Sequence, residues 1–395
     1  MTESTRTRAP ISTVSKLGVG LGVAALLLVG TEAWLWVRYP IDEPVYELDE
    51  RMLYRPLPDA RTLHVLSAGT GADPVVWSFN RHGHRGLDVA PKSAAVPRIV
   101  VYGDSFVHAT VTPLHETFVV RLAAELAARG LHVETINAGV PGYGPDQSLL
   151  HCERDIAVLE PDVVVFVAAP ESDYDDLTRN AIVRIDEHGA IVERVPAIDP
   201  RYAARMARWD AAGRRPLLQR AGQHLVDCAL QLLRTSAVDA TDGAAIDATR
   251  ARAFTCAPDD PAEDDGDPAG RLAREQWRLL THVLARFERS CREHEIEFCT
   301  VVVPPEREMR AARAPARPAH AYPLSASCVR AARQASVRCV DLCAAFLGGD
   351  LDALYLPGID THWSSAGQQL AARLVADELF AAGAVRAQST PARER

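Results

Sequence analysis

The chain has 395 residues, 48% of them hydrophobic, enough to bury the core of two domains or of one domain with a large insertion. Its formal net charge of −9 argues against nucleic acid as a partner. The eight cysteines form no C-x-x-C pair, which leaves no cysteine-based metal or redox motif.

Residues 1–16 are polar, carry Arg6, Arg8 and Lys16, and read as a cytoplasmic tail. Residues 17–37 are almost wholly apolar, interrupted by Thr31 and Glu32, and are long enough to cross a bilayer. Trp34, Trp36 and Tyr39 suit the far interface. The basic flank stays inside, so the remainder is expected outside the cytoplasm, held by an uncleaved signal anchor. A signal peptide cut at Thr31-Glu32-Ala33 is the alternative, with a poor cleavage site and a long apolar run against it. Residues 38–74 are expected as a linker. Their 39–58 stretch is proline-rich and mixed in charge, an extended stalk or an irregular wrap.

One domain is expected over 75–385, followed by a disordered tail at 386–395. Residues 75–79 give a short strand signal, and a glycine-bearing turn follows at 80–86. His82 and His84 stand in that turn without a carboxylate or cysteine cluster in the sequence beside them, so no metal is expected there. Residues 99–102 form a β-branched apolar run that Gly103 breaks; Asp104 and Ser105 follow, and a helix is expected from about 117 to 128. Strand, tight turn and helix place Ser105 at the carboxyl end of a strand, where open α/β sheets bind ligands. Ser105 is therefore the candidate nucleophile, against the plainer reading of a turn serine that caps a helix.

Residues 131–137 read as the second strand and run into a glycine-rich loop at 138–144, before a helix over 146–159. Residues 161–167 are a third buried strand. The insertion at 177–270 begins with a hairpin over 182–192 and continues with helices over 201–211 and 216–233. Its last part, 236–270, is acidic and rich in Ala, Asp, Gly and Pro, a flexible loop whose charges are solvated rather than calcium-binding. Residues 271–294 form an amphipathic helix with a core stripe of Trp277, Leu280, Val283, Leu284 and Phe287. Strands at 296–303 and 337–342 flank a helix at 328–336, and a last helix spans 368–379. This alternation predicts an α/β fold: a parallel sheet with helices on both faces.

Before the last helix stands Asp360-Thr361-His362-Trp363. A serine nucleophile needs a base, and the base needs a group that fixes its tautomer. His362 and Asp360 supply both. Among the cysteines, a Cys228–Cys256 disulfide is one pairing open to an exported chain, while Cys299 and Cys339 lie in strand patterns as buried apolar residues.

The Gly-Asp-Ser turn and the Asp-x-His-Trp stretch, in that order, resemble the SGNH (GDSL) hydrolase family over residues 80–379, with a poorly matching middle. The resemblance implies a three-layer α/β/α, flavodoxin-like sandwich and a triad of Ser105, His362 and Asp360. The Asn-x-x-Gly-x-Arg turn from Asn80 to Arg85 resembles one in membrane-anchored relatives and is expected to be structural. Asn137-Ala138-Gly139-Val140-Pro141-Gly142-Tyr143-Gly144 resembles the family's second block; its oxyanion glycine falls on Gly139 or Gly142, and the Asn-x-Gly alignment favours Gly139. The amides of Ser105 and Gly139 are expected donors. Ser172 stands where the family carries an oxyanion asparagine, and a hydroxyl is a shorter donor with a rotating proton. The Asp-x-His-Trp form also occurs among polysaccharide acetyl-transfer enzymes of the family. Ser364 stands where asparagine is common and is expected, with Ser365, to cap the last helix.

The expected function is a membrane-anchored, extracytoplasmic serine esterase without cofactor or metal. An O-acetyltransferase or deacetylase of cell-surface polysaccharide is the alternative, and a non-catalytic scaffold with a degenerate oxyanion hole is the second.

Overall fold

The computed structural model describes residues 13–38, 45–64, 75–194, 268–313, 323–356 and 360–385. The helices expected at 201–211 and 216–233, nearly all of the acidic 236–270 stretch, Cys228, Cys256 and the 386–395 tail lie outside them. The six cysteines among the described residues are all free thiols.

The chain begins with α1 (Thr13–Arg38). Among the described residues no helix is long and apolar enough to cross a membrane, so the span expected over 17–37 has no support from them. Side chains are described on α1 over residues 18–34, and Val19, Leu21, Leu26, Leu28 and Trp34 stand exposed there.

β1 (Tyr46–Asp49) and β2 (Leu53–Pro56) pair antiparallel, as do β3 (Arg61–His64) and β4 (Val75–Ser78). Over residues 45–64 the chain lies against the body of the fold. Tyr46, Met52, Leu53 and Tyr54 are buried in the main core. The Tyr54 hydroxyl donates to Pro141 O at 2.7 Å, and the Tyr143 hydroxyl donates to Tyr54 O at 2.5 Å. Proline and charge dominate the composition here, but a few apolar anchors decide the packing.

Next come β5 (Arg98–Gly103), α2 (Ser105–His108), α3 (Phe118–Ala128), β6 (Glu134–Gly139), α4 (Pro145–Leu159), β7 (Val163–Ala168) and α5 (Pro170–Asn180). β8 (Val183–Ile185) and β9 (Ile191–Glu193) form a hairpin. α6 (Pro268–Glu293), β10 (Glu297–Val302), α7 (Glu306–Arg313), α8 (Pro323–Gln334), β11 (Arg338–Asp341), α9 (Cys343–Gly348) and α10 (Leu351–Leu354) follow. β12 (Tyr355–Leu356), β13 (Asp360–Trp363) and α11 (Ser365–Ala381) complete the described chain.

Five strands form one parallel sheet in the order β11-β10-β7-β5-β6. Alternate side chains of each strand face opposite ways. Val100, Tyr102, Val164 and Phe166 join a core with Leu149 of α4, Phe287 of α6 and Ala331 of α8. Ile99, Val101, Val163 and Val165 join a second core with Leu122 of α3, Phe346 of α9 and Val375 of α11. Both faces are covered, which is why these strands are continuous apolar runs. β5 lies between β6 and β7, so the chain leaves it once to each side. The carboxyl end of β5 is therefore the switch point of the sheet, where a crevice opens.

Candidate functional site

At that end Gly103 has a φ of +155°, and a Cβ there would lie 2.7 Å from Val107 Cγ2 and 2.8 Å from Val167 O. Glycine is what lets the chain turn sharply between β5 and α2. Asp104 caps α2, its Oδ1 accepting from Phe106 N at 2.9 Å. Ser105 opens α2 and is half-buried.

β13 brings the second group. His362 Nε2 lies 2.6 Å from Ser105 Oγ, within hydrogen-bond reach of the hydroxyl. The His362 ring rests on Phe106, centroids 4.6 Å apart. Next to it Trp363 is buried against Phe106, Phe118 and Phe346. This stretch is a short strand, paired antiparallel with β12 through Tyr355↔Trp363 and Leu356↔Asp360. The Asp360 side chain lies outside the described residues. Ser364 Oγ caps α11, accepting from Ala366 N and Gly367 N. Ser365 plays no part in the cap; its carbonyl and hydroxyl accept from Arg121 of α3 at 2.6 and 2.8 Å.

Ser172 lies on α5, a helix that opens with Pro170 at its first position. Its hydroxyl is 3.2 Å from both Asp104 Oδ2 and Ala169 O, which puts it beside the Ser105 turn. The Gly139 amide is engaged within its own strand, donating to Asn137 Oδ1 at 3.1 Å. Asn137 Nδ2 in turn donates to Val107 O at 2.7 Å, which ties β6 to α2. Gly142, the other position considered for an oxyanion donor, is exposed on a turn with φ +78°.

Three features of the site show their role only in the structure. Burial raises the pKa of Asp104, opposed by the bond from Phe106 N and by His362. Asp173 is pushed well up by burial and by the neighbouring Asp104 and Asp176. Arg85, from the Asn-x-x-Gly-x-Arg turn, donates to His108 O and Ala109 O and, at 2.8 Å, to Thr112 O, anchoring the far end of α2. Burial lowers its pKa to about 10, which leaves it charged at neutral pH. Asn80 and Arg85 are visible as a motif, but what they hold is not.

Residues 263–394 match a family model described as SGNH hydrolase-like domain, acetyltransferase AlgX. No curated protein matches the chain. Among solved structures, a lipase/acylhydrolase from Enterococcus faecalis is 14% identical, covering 75% of this chain and 100% of its own, with a TM-score of 0.38. The psychrotrophic esterase EstA from Pseudoalteromonas sp. is 11% identical over 72% of this chain and 97% of its own, TM-score 0.35. The acetyl xylan esterase AlAXEase is 15% identical over 72% and 98%, TM-score 0.35. The segment matched by this SGNH hydrolase-like family model carries His362, and the fold brings that segment to Ser105.

Proposed function

We propose that the chain is a serine esterase acting through Ser105, His362 and Asp360. The observation that carries this reading is the 2.6 Å approach of His362 Nε2 to Ser105 Oγ. Ser105 Oγ attacks an ester carbonyl while His362 takes its proton and returns it to the leaving alcohol. Asp360 steadies the imidazolium from the same strand. The Ser105 amide is the first oxyanion donor. Ser172 Oγ is the second, by turning its proton from Asp104 to the oxyanion, and Gly139 N–H joins when it gives up Asn137. Water then releases the acyl group from Ser105. No step calls for a cofactor.

A second reading has one observation in its favour: the matching family model is described as an acetyltransferase. The same acyl-enzyme, loaded from a separate acyl donor, passes its acyl group to a sugar hydroxyl instead of water, and the acylated carbohydrate of the cell surface is then the product; run as a deacetylase, the site takes that carbohydrate as its ester substrate and passes the acyl group to water. Dependence of turnover on a sugar acceptor separates the two. Location belongs to this proposal too. The exposed apolar side chains of α1 have no cover in the described fold, and a lipid bilayer on the export side of the cytoplasmic membrane would cover them.

The test is fluorophosphonate labelling of the full chain, read by intact mass, beside Ser105→Ala and His362→Ala. One adduct on wild type, lost in both variants, is expected, with ester turnover falling ~10⁴-fold or more in each. A folded wild type that takes no adduct refutes the esterase and transferase readings together and leaves a scaffold.

A further inference from the structure

Away from Ser105, a second polar cluster is buried beneath α4. His151 and Asp155 sit one helical turn apart, so they share a face. His84 reaches them from the 80–85 turn, and all three residues are buried. His84 Nε2 is 2.7 Å from Asp155 Oδ2, and His151 Nε2 is 3.2 Å from the same oxygen. One donor atom from each residue falls in a group whose members all lie within 4.8 Å of one another. The other carboxylate oxygen, Oδ1, is held by Arg154 Nε at 3.1 Å, which leaves Oδ2 turned to the two imidazoles. The Tyr102 hydroxyl approaches Oδ2 at 3.4 Å.

The supports are already in place. Asn80 Oδ1 accepts from His82 N at 2.9 Å and from His84 N at 3.0 Å, and Asn80 N donates to His84 O at 2.8 Å. That fixes the backbone that carries His84. On the other side, α4 fixes His151 and Asp155 relative to each other.

Hydrogen bonding alone leaves this cluster unsatisfied. His151 Nε2 is close to Asp155 but makes no hydrogen bond, and Nδ1 of both histidines is buried without a partner. Polar atoms left so inside a protein are costly, and each calls for an explanation. Two imidazoles and a carboxylate, two of them spaced i and i+4 on a helix, are a donor set suited to zinc and its neighbours.

We propose that His84, His151 and Asp155 bind one divalent transition-metal ion, zinc in the first place, which clamps the 80–85 turn to α4. Water or the Tyr102 hydroxyl completes the coordination. Arg85 follows His84 directly and holds the end of α2, so the ion braces the scaffold under Ser105 without touching the reaction.

The experiment uses the full chain, freed of metal with a chelator, dialysed against zinc and then against metal-free buffer. Ion content is read by mass spectrometry, and a parallel sample takes cobalt(II) for visible spectroscopy. One zinc per chain is expected, with the strong visible bands of four-coordinate cobalt. Asp155→Asn and His151→Gln each weaken binding by about 100-fold or more. A folded wild type that keeps less than about a tenth of an equivalent and shows no such bands overturns the proposal, and that result needs no variant to fold. Binding that survives Asp155→Asn and shows thiolate-to-cobalt charge-transfer bands moves the ion to the cysteines and overturns it equally.

Discussion

Ser172 is the residue on which turnover should depend most after the triad. Its hydroxyl sits 3.2 Å from Asp104 Oδ2, beside the serine turn. As an oxyanion donor, its removal in Ser172→Ala should lower kcat by up to about 10²-fold with little change in KM. Fluorophosphonate labelling should persist, since Ser105 and His362 remain. An unchanged kcat would remove Ser172 from the oxyanion hole. Asp146 makes a different prediction. It is wholly buried, and burial pushes its carboxyl from 3.8 to about 7, against hydrogen bonds from Asn180 and Gln147. Between those two values the folded chain holds a proton that the unfolded chain has released. Stability therefore falls as pH rises from 3.8 to about 7, and this contribution is flat above. Asp176 adds to the same slope, raised to about 7 by burial despite Arg179. Asp146→Asn should flatten the fall in melting temperature between about pH 5 and pH 8; a variant as steep as wild type would show that Asp146 is ionised throughout.

Among the elements, β6 and α2 are packed with no space to spare. A Cβ on Gly139 would lie 2.4 Å from His108 N and 2.6 Å from Val107 Cβ. Gly139→Ala must push α2 away from β6, at a cost of about 1–3 kcal/mol or more. Circular-dichroism melts should show that loss, and labelling of Ser105 should slow with all triad residues present. A variant that melts and labels like wild type would mean that α2 yields without moving Ser105. The same close fit explains what was legible in advance. β5 over 99–102 and β7 over 163–168 are apolar runs inside the sheet, and their β-branched residues stand out in the sequence. α5 was hard to read, because its buried face mixes Tyr174 and Leu177 with Asp173, Asp176 and Asn180. α7 and α9 are short, and β13 pairs with only two residues of β12, so neither pattern nor length announces them. Ser105 and His362 could be singled out as types at meaningful spacing. The Asn137 bond to the Gly139 amide could not, since it depends on a side-chain orientation that only packing selects.

At the scale of the whole molecule, the described residues form a packed body with two cores, and α1 contributes to neither. Neither core cluster includes a residue of α1, whereas Val45, Tyr46 and Tyr54 belong to the larger one. A chain starting at residue 45 should keep its melting temperature and its labelling, while its share in the membrane pellet falls to background. If the shortened chain still pellets, something other than α1 holds the protein to lipid. If it unfolds, α1 is part of the body after all. The division was half legible: the apolar run marks α1, but composition left residues 39–58 open between an extended stalk and an irregular wrap.

Ser105 and His362 are 257 positions apart. At the usual pace of synthesis, Ser105 leaves the ribosome roughly 13–50 s before its partner. Through that interval the serine has no base, and β13 cannot form. Any chain cut short before its last strand carries an inert hydroxyl. The pairing therefore acts as a timer: on the proposed chemistry, hydrolysis waits until β13 has been made and has docked beside α2.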